Sequence, residues 1–380
     1  MFIDYEILRL IWWLLLGVLL IGFAVMDGFD LGVAALLPVV AKNDPERRVA
    51  INTVGPVWEG NQVWLILGGG AIFAAWPSLY AVSFSGFYLA MFLVLTTLIL
   101  RPVGFKFRSK IDAPGWRRTW DGALVIGGVV PALIFGVAVG NALQGVDFSF
   151  DRSLRATYEF GLLDLLNPFA LLCGLVSLAM LLMHGASYLA LKAGAPVCDR
   201  ARKVGQLAAL MLIVLFSLGG VWTAWGLEGY VIQAGADPSG PSNPLGKEVV
   251  RETGAWLNNY SNHGFFIIAP IMVYLGAFLA LLAMRAAKDG MAFISSAFSV
   301  AGVVATAGVS MFPFLLPSSL DPASSLTVWD ASSSQLTLLV MLIGALIFMP
   351  IIILYTSWVY RVLKGRVTAD YIESNTHSSY

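Results

Sequence analysis

The dominant pattern along the chain is a series of long apolar stretches separated by shorter polar segments. A helix crosses the hydrocarbon core of a bilayer with about 20 mostly apolar residues. About nine stretches meet or approach this length and are predicted to be transmembrane helices. They cover roughly residues 8–40, 51–76, 79–101, 119–143, 165–192, 204–225, 263–285, 290–316 and 335–361. The second is the weakest, because polar residues open it.

Lysine and arginine are concentrated in alternate connections between these stretches. The connections after predicted spans 1, 3, 5 and 7, and the segment after span 9, are basic, whereas the others are poor in these residues. By the positive-inside rule the basic segments lie in the cytoplasm, so we expect a periplasmic N-terminus and a cytoplasmic C-terminus. Dropping the second span would break this alternation. Arg9 on the outer side is the one minor exception.

The fold class that follows is an all-α polytopic membrane protein. We expect a single transmembrane helical domain over residues 1–366, arranged as two four-helix bundles plus one peripheral helix. Residues 226–262 are rich in glycine, proline, serine and asparagine. They are predicted to form a long periplasmic loop with one short helix around 245–257. Residues 367–380 are predicted to be a cytoplasmic tail.

The composition agrees with this class. The 380 residues are 58% hydrophobic and 12% charged, whereas soluble globular proteins carry roughly 25% charged residues. The formal net charge is zero, which gives no indication of nucleic-acid binding. Cys173 and Cys198 are expected to be free thiols. The N-terminus lacks the basic region of a cleavable signal peptide, so the first apolar stretch is expected to be retained.

Ionisable residues within the predicted spans are the main candidates for function, because charge is costly in a bilayer. Asp27, Glu59, Arg101 and Asp121 are all expected in the cytoplasmic half, where they could pair and form a polar inlet for protons. Each also has a plainer interpretation. Asp30, Arg101 and Asp121 lie near the interface, where solvated side chains are common. Asp27 could simply pair with Arg101, and Glu59 could make a structural hydrogen bond.

Histidines and tryptophans are weaker candidates. A lone histidine is more often a satisfied polar residue than a ligand, so His184 is only a weak metal candidate. Haem coordination by two histidines of this chain is not expected. Tryptophans near the outer span ends, such as Trp222 and Trp225, are typical of the aromatic belt at a membrane boundary. A quinone docked against such rings is the alternative.

Several segments along the whole length carry a resemblance to a known family. They include Asp27-Gly28-Phe29-Asp30-Leu31-Gly32, Trp58-Glu59-Gly60-Asn61-Gln62-Val63-Trp64, Ala74-Ala75-Trp76-Pro77, Phe84-Ser85-Gly86-Phe87-Tyr88, Leu100-Arg101-Pro102, Asn167-Pro168-Phe169, Gly254-Ala255-Trp256 and Met311-Phe312-Pro313-Phe314. Taken together and in order, they make the chain resemble subunit II of the cytochrome bd-type ubiquinol oxidases, close to the bd-I and bd-II enzymes of enteric bacteria.

The resemblance implies a terminal respiratory oxidase of the bacterial inner membrane, which couples quinol oxidation to reduction of O2 to water and generates proton motive force. Its partner would be subunit I, in a pseudo-symmetric heterodimer, with a small single-span accessory subunit as a further possibility. Subunit I would hold two haem b groups and one haem d, and ubiquinone or ubiquinol would bind the complex. Subunit II would not be active alone.

The resemblance also implies roles for residues of this chain. Asp27, Glu59, Arg101 and Trp58 match positions of a cytoplasmic proton pathway toward the haems, and Glu59 stands where aspartate often occurs. Secondary candidates from the same region are Asp30, Asp121 and Gln62. Lys106 departs from the pattern, since relatives can have aspartate there, and this puts an acidic proton entrance at that position in doubt. No cofactor-binding residue is assigned.

Two other function classes remain open on the sequence alone. Buried carboxylates are also found in proton-coupled secondary transporters, although transporters usually place them on broken helices near mid-membrane. A purely structural anchor subunit is the third possibility. The optical spectrum of a purified complex would discriminate among the three.

Overall fold

The computed structural model describes residues 3–374, and the chain is largely helical. In chain order the helices are α1 (Tyr5–Val40), α2 (Asp44–Val54), α3 (Trp58–Ala75), α4 (Pro77–Gly86), α5 (Tyr88–Phe107), α6 (Pro114–Gln144), α7 (Pro168–Lys192), α8 (Val197–Trp225), α9 (Asn258–Asn262), α10 (Ile268–Arg285), α11 (Asp289–Met311), α12 (Gln335–Val362) and α13 (Ala369–Ser374). The short strands are β1 (Phe148–Phe150), β2 (Ala156–Tyr158), β3 (Glu228–Ala234), β4 (Glu248–Thr253), β5 (Phe314–Leu316) and β6 (Leu326–Thr327).

Within the described residues, 8 helical segments are long and apolar enough to cross a membrane. They correspond to predicted spans 1 and 3 to 9, except that the third begins at Tyr88 in α5, and residues 79–86 of the predicted span lie in α4. The predicted second span is α3, which is not among them because its first turn is polar. Its 18 residues extend about 27 Å, close to the thickness of a hydrocarbon core. Residues 51–57, expected in the same span, lie instead in α2 and the turn that follows it.

Chain order divides the long helices into two groups of four, but α7 packs extensively on α1 and α6 of the other group, so two separate bundles remain a prediction. The first group contains α1, α3, α5 and α6, and the second contains α7, α8, α10 and α11. Helices α1 and α6 both pack on α7 and so join the groups. At the crossing of α1 and α7, a Cβ atom on Gly185 would lie 2.7 Å from the Cα atom of Gly32, so only glycine permits this approach. Helix α12 lies outside both groups, against α1 and α3.

The long loop at 226–262 differs from the expectation of a short helix. Its β4 pairs with β3 in an antiparallel hairpin, and a 3₁₀ turn over Ala255–Leu257 and the five-residue α9 follow. The helix prediction over 245–257 was therefore wrong. Val249 and Val250 are β-branched and favour the extended conformation.

A buried lysine connects this hairpin to the loop that precedes α12. The Lys247 side chain is only 1% exposed, and its Nζ atom lies 2.8 Å from Oδ2 of Asp330. The same atom donates to main-chain carbonyl oxygens of three residues, at 2.7, 3.2 and 2.5 Å. These residues are Pro244, Ala323 and Ser325. Oxygen atoms from two distant loops thus surround one ammonium group.

Arg9, the exception to the charge rule, is also fully buried. Its guanidinium donates to Ser332 Oγ at 2.7 Å and to the carbonyl oxygens of Pro238 at 2.5 Å and Gly240 at 3.0 Å. The charge is therefore satisfied by loop groups rather than exposed to lipid.

The start of the predicted tail is docked rather than free. The amide of Val367 donates to the Lys192 carbonyl, and Ile372 of α13 is buried in the core that also contains the end of α1. Contacts between α13 and α2 hold the segment beneath the bundle. Residues 375–380 of the predicted tail lie outside the described residues.

Candidate functional site

The charged centre of the first helix group is an ion pair between α1 and α5. Arg101 donates from Nη1 and Nη2 to Oδ1 of Asp27 and from Nη2 to Oδ2, all at 3.1 Å. Both side chains have 0% exposure. A buried pair of this kind is tolerated only when the geometry is good, because both charges have left water. The predicted pairing of Asp27 with Arg101 is present in the structure.

A second buried carboxylate follows one turn later on the same face of α1. Asp30 accepts a hydrogen bond on Oδ2 from Nδ2 of Asn61 at 2.8 Å. The hydroxyl of Tyr360 donates to Oδ1 of the same asparagine at 2.8 Å. The result is a chain of hydrogen bonds that runs from α12 through α3 to α1.

Three buried polar atoms in this region have no hydrogen-bond partner among the described residues. They are Oδ1 of Asp30, Nε of Arg101 and Nε1 of Trp58. Trp58 is 5% exposed and its ring lies 5.7 Å from that of Phe105, between centroids. Buried polar atoms in folded proteins are normally hydrogen-bonded, often to internal water. The cluster therefore has one acceptor and two donors to offer to water molecules.

Glu59 lies apart from the buried cluster, on the surface of the chain. Its Oε1 atom lies 3.4 Å from Nζ of Lys106, and the two side chains are 66% and 57% exposed, respectively. Glu59 is in the first turn of α3, and Lys106 is in the last turn of α5. It therefore sits at the end of its helix, closer to the membrane boundary than the sequence suggested. The structure thus pairs Glu59 with Lys106, the residue that differs from the family pattern.

Asp121 belongs to a separate ionic network at the ends of α2, α5 and α6. It accepts from Nε of Arg108 at 2.5 Å and from Nη1 of Arg47 at 2.7 Å, and Arg108 also pairs with Asp44 at 2.9 Å. Burial alone would lower the pKa of Arg108, but hydrogen bonds and charge from Asp121 and Asp44 outweigh it and raise the pKa above its ordinary value. This network neutralises charge and joins three helix ends.

His184 has both ring nitrogens engaged. Nε2 lies 2.9 Å from the carbonyl oxygen of Val25, which can only accept, so Nε2 carries the proton. Nδ1 lies 2.8 Å from the hydroxyl of Ser296, and the ring stacks on Phe293. No nitrogen is left for a metal or haem iron. Over residues 3–374, no group of three or more metal-ligating side chains occurs.

The candidates thus separate into three places. Asp27, Arg101, Asp30 and Trp58 lie in or beside the buried cluster, whereas Glu59 is on the surface and Asp121 is in the ionic network. Gln62 is half-buried, one turn beyond Trp58 on α3.

Sequence reasoning did not assign roles to Asn61 and Tyr360. Asn61 could have been noticed as an amide in the polar first turn of α3. No local signal marks Tyr360, which is 299 positions away in the chain. Together, the carboxylates and water-binding atoms of the cluster can hold and exchange protons.

The chain is similar in sequence to several known proteins along nearly its whole length. The family model of cytochrome bd terminal oxidase subunit II matches residues 8–363. The chain is 52% identical to the cytochrome bd-I ubiquinol oxidase subunit 2 of Escherichia coli over 378 residues, covering 100% of both chains. It is 31% identical to the cytochrome bd ubiquinol oxidase subunit 2 of Bacillus subtilis, over 94% of this chain and 96% of the relative.

A solved structure is also similar. The bd oxidase from Geobacillus thermodenitrificans contains a chain that matches with a TM-score of 0.69 at 17% identity, over 93% of this chain and 98% of that one. At this identity the likeness concerns the fold alone.

Proposed function

The chain belongs to the family of cytochrome bd terminal oxidase subunit II, and from this premise we propose that it conducts protons from the cytoplasm toward a haem-bearing subunit I. It is a multi-pass protein of the bacterial inner membrane. The observation that carries the proposal is the buried cluster of Asp27, Arg101 and Asp30. Ionisable groups wholly buried at membrane depth are costly, and they usually mark an ion or proton path.

The path would begin at the surface pair of Glu59 and Lys106. Both residues are exposed at helix ends on the side of the basic loops, where protons from the cytoplasm can reach a carboxylate. Trp58 adjoins Glu59 and turns its indole into the protein, where Nε1 can bind water. From there, water would connect the entrance with Asp30 and then Asp27.

Arg101 would compensate part of the negative charge along this path. Its guanidinium compensates one buried negative charge, so that Asp27 can remain ionised without an external counter-ion. Asp30 has no arginine of its own and accepts only from the Asn61 amide. It is therefore the group in this cluster that is best suited to alternate between its protonated and ionised forms.

The face on which Glu59 lies is a suitable surface for subunit I. Glu59, Val63, Ile66, Gly70 and Phe73 follow one another at helical spacing and are all exposed on α3. A second membrane protein can cover the apolar part of such a stripe and supply polar partners at its edge. We therefore place subunit I against the apolar part of this stripe, with Glu59 at its cytoplasmic edge, where water can still reach the carboxylate.

The haems implied by the family would belong to the partner. His184 has no free nitrogen, and His263 lies in the loop before α10. The described residues thus do not fit an axial histidine pair, and no step is assigned to haem on this chain. Drawing protons for water formation from the cytoplasm would contribute to proton motive force, with ubiquinol as the electron donor.

The test is Glu59→Gln in the assembled complex with subunit I. We expect slower oxygen consumption and slower proton uptake at unchanged haem content. Glu159→Gln is the matched control, because Glu159 is an exposed carboxylate in the loop after β2. Normal turnover of the Glu59→Gln complex with full haem content would contradict the proton-relay role of Glu59 and favour a purely structural role for the subunit.

A further inference from the structure

Two depressions lie side by side where the ends of α6 and α8 meet the β3–β4 hairpin. One is an open groove along α8 with a volume of about 530 Å³. The other, of about 430 Å³, lies on the side of the hairpin and is mainly polar. Trp225 and Gly226 line both. We call them the apolar groove and the polar cup.

The apolar groove follows one face of α8. Val221 and Trp222 follow Leu218 by three and four residues, Trp225 follows them by four and three, and the exposed fractions of Leu218, Val221, Trp222 and Trp225 are 52%, 52%, 40% and 78%, respectively. A Cβ atom on Gly226 would lie 2.8 Å from Cδ1 of Trp222, so glycine lets this indole fold over the helix end. An exposed apolar face that ends in tryptophans is suited to an acyl chain at the membrane boundary.

The polar cup contains one cation and two acceptors. Nε of Arg251 lies 3.4 Å from Oε2 of Glu228, and the two side chains are 38% and 55% exposed. An exposed pair of this kind contributes little, so either partner can exchange it for a ligand group. Oε1 of Gln144 is buried and has no hydrogen-bond partner among the described residues.

Two helix C-termini add to the preference of the polar cup for a cationic group. α6 ends at Gln144 and α8 ends at Trp225, so the carbonyl ends of both helices lie at this site. Helix C-termini carry partial negative charge and favour cations. A matching ligand therefore has a cationic group that donates hydrogen bonds, an anionic group for Arg251 and an apolar chain.

We propose that the groove and cup together bind one phospholipid with a primary-ammonium headgroup, of the phosphatidylethanolamine type. The ammonium donates to Gln144 and Glu228, the phosphate accepts from Arg251, and one acyl chain lies along Trp222. A choline headgroup has the same charges but no N–H to donate. A glycerol headgroup has no cation. The site is independent of the proposed proton path.

The test uses the purified oxidase complex, stripped of lipid and exposed in turn to phosphatidylethanolamine, phosphatidylcholine and phosphatidylglycerol. Bound lipid is counted by native mass spectrometry. Because hydrogen bonds to charged groups are involved, we expect about tenfold tighter retention of one phosphatidylethanolamine than of either competitor. Equal retention of the choline lipid, stronger retention of the glycerol lipid, or occupation by quinone instead would overturn the proposal.

Two variants locate the binding. Arg251→Gln and Trp225→Ala should each lose the preferentially retained lipid. Trp358→Ala is the matched control, since Trp358 is equally an exposed indole, 61% exposed, but on α12. If the preference survives in both variants, the lipid binds elsewhere and the assignment to this site is wrong. The comparison of headgroups in the unmodified complex holds even if a variant fails to assemble.

Discussion

The hydroxyl of Tyr360 lies 2.8 Å from Oδ1 of Asn61, and this contact ties the outlying α12 to α3. It also fixes the direction of the asparagine amide, because the phenol donates to Oδ1 and leaves Nδ2 to donate to Asp30. A residue on a peripheral helix thereby holds a buried carboxylate in place.

Replacing this tyrosine should weaken the support of Asp30. Tyr360→Phe removes one buried donor while keeping the ring, so we expect the complex to lose about 1 kcal/mol of stability. The thermal midpoint of the purified complex measures this. Tyr355→Phe is the control, because Tyr355 is 63% exposed on the same helix. An unchanged midpoint in Tyr360→Phe would mean that the bond contributes nothing.

Variants of the buried ion pair between Asp27 and Arg101 can separate its effect on stability from its effect on proton transfer. Arg101→Gln leaves Asp27 buried without its counter-charge, which should cost about 3 to 5 kcal/mol and reduce the yield of assembled complex. The double variant Asp27→Asn, Arg101→Gln has no buried charge and should recover most of that yield. If the pair belongs to the proton path, the double variant assembles but consumes oxygen slowly. Rapid turnover of the double variant would contradict the proposed role of Asp27.

Lys106 should act on proton entry through its charge. Lys106→Gln removes a cation 3.4 Å from Glu59 and makes the entrance more negative. We expect faster proton uptake at low ionic strength, measured by stopped flow with a pH indicator. The gain should vanish at about 1 M salt, where the screening length is about 3 Å. Lys110→Gln, at an exposed lysine outside α5, should change uptake much less.

Glu46 provides a stability test that depends on pH. Its Oε2 atom lies 2.5 Å from Nη1 of Arg200 and joins α2 to α8. Burial alone would raise the pKa of Glu46, but hydrogen bonds from Arg200 and the Lys42 amide hold that pKa below its ordinary 4.5. The ion pair therefore stabilises the fold above about pH 4.5 and ceases to do so as the pH falls through the lowered pKa.

The corresponding variant is Glu46→Gln. We expect it to lose up to about 1 kcal/mol of stability at pH 7 and to differ progressively less from the unmodified complex in acid. Thermal midpoints at a series of pH values check this. A constant difference at every pH would show that the carboxylate charge is not the cause.

Apolar length predicted the long helices found within residues 3–374, because a bilayer makes strong demands on the length of every span. The same pattern merged α2 with α3, since Ile51 and Val54 are apolar but are buried against other helices rather than within a span. The hairpin of β3 and β4 was not predicted, because its two strands are separated by a loop. The local composition indicates the loop but not the pairing of the strands.

Whether each candidate side chain is buried depends on tertiary contacts, which the sequence pattern does not show. Residue types alone indicated that Asp27 and Arg101 could pair, and they do. They could not indicate that Glu59 points away from the bundle, because helix rotation is set by packing. Tyr360 and Asn61 meet only through the fold, so no spacing along the chain could reveal them.

The oxygen cage around Lys247 has one more consequence. Three carbonyl groups and one carboxylate surround this single positive charge, and such oxygen atoms also coordinate free metal cations. Here the cation is tethered to the chain and cannot diffuse away. The contact between these two loops thus needs no dissolved cation, and we expect it to persist when the salt composition changes.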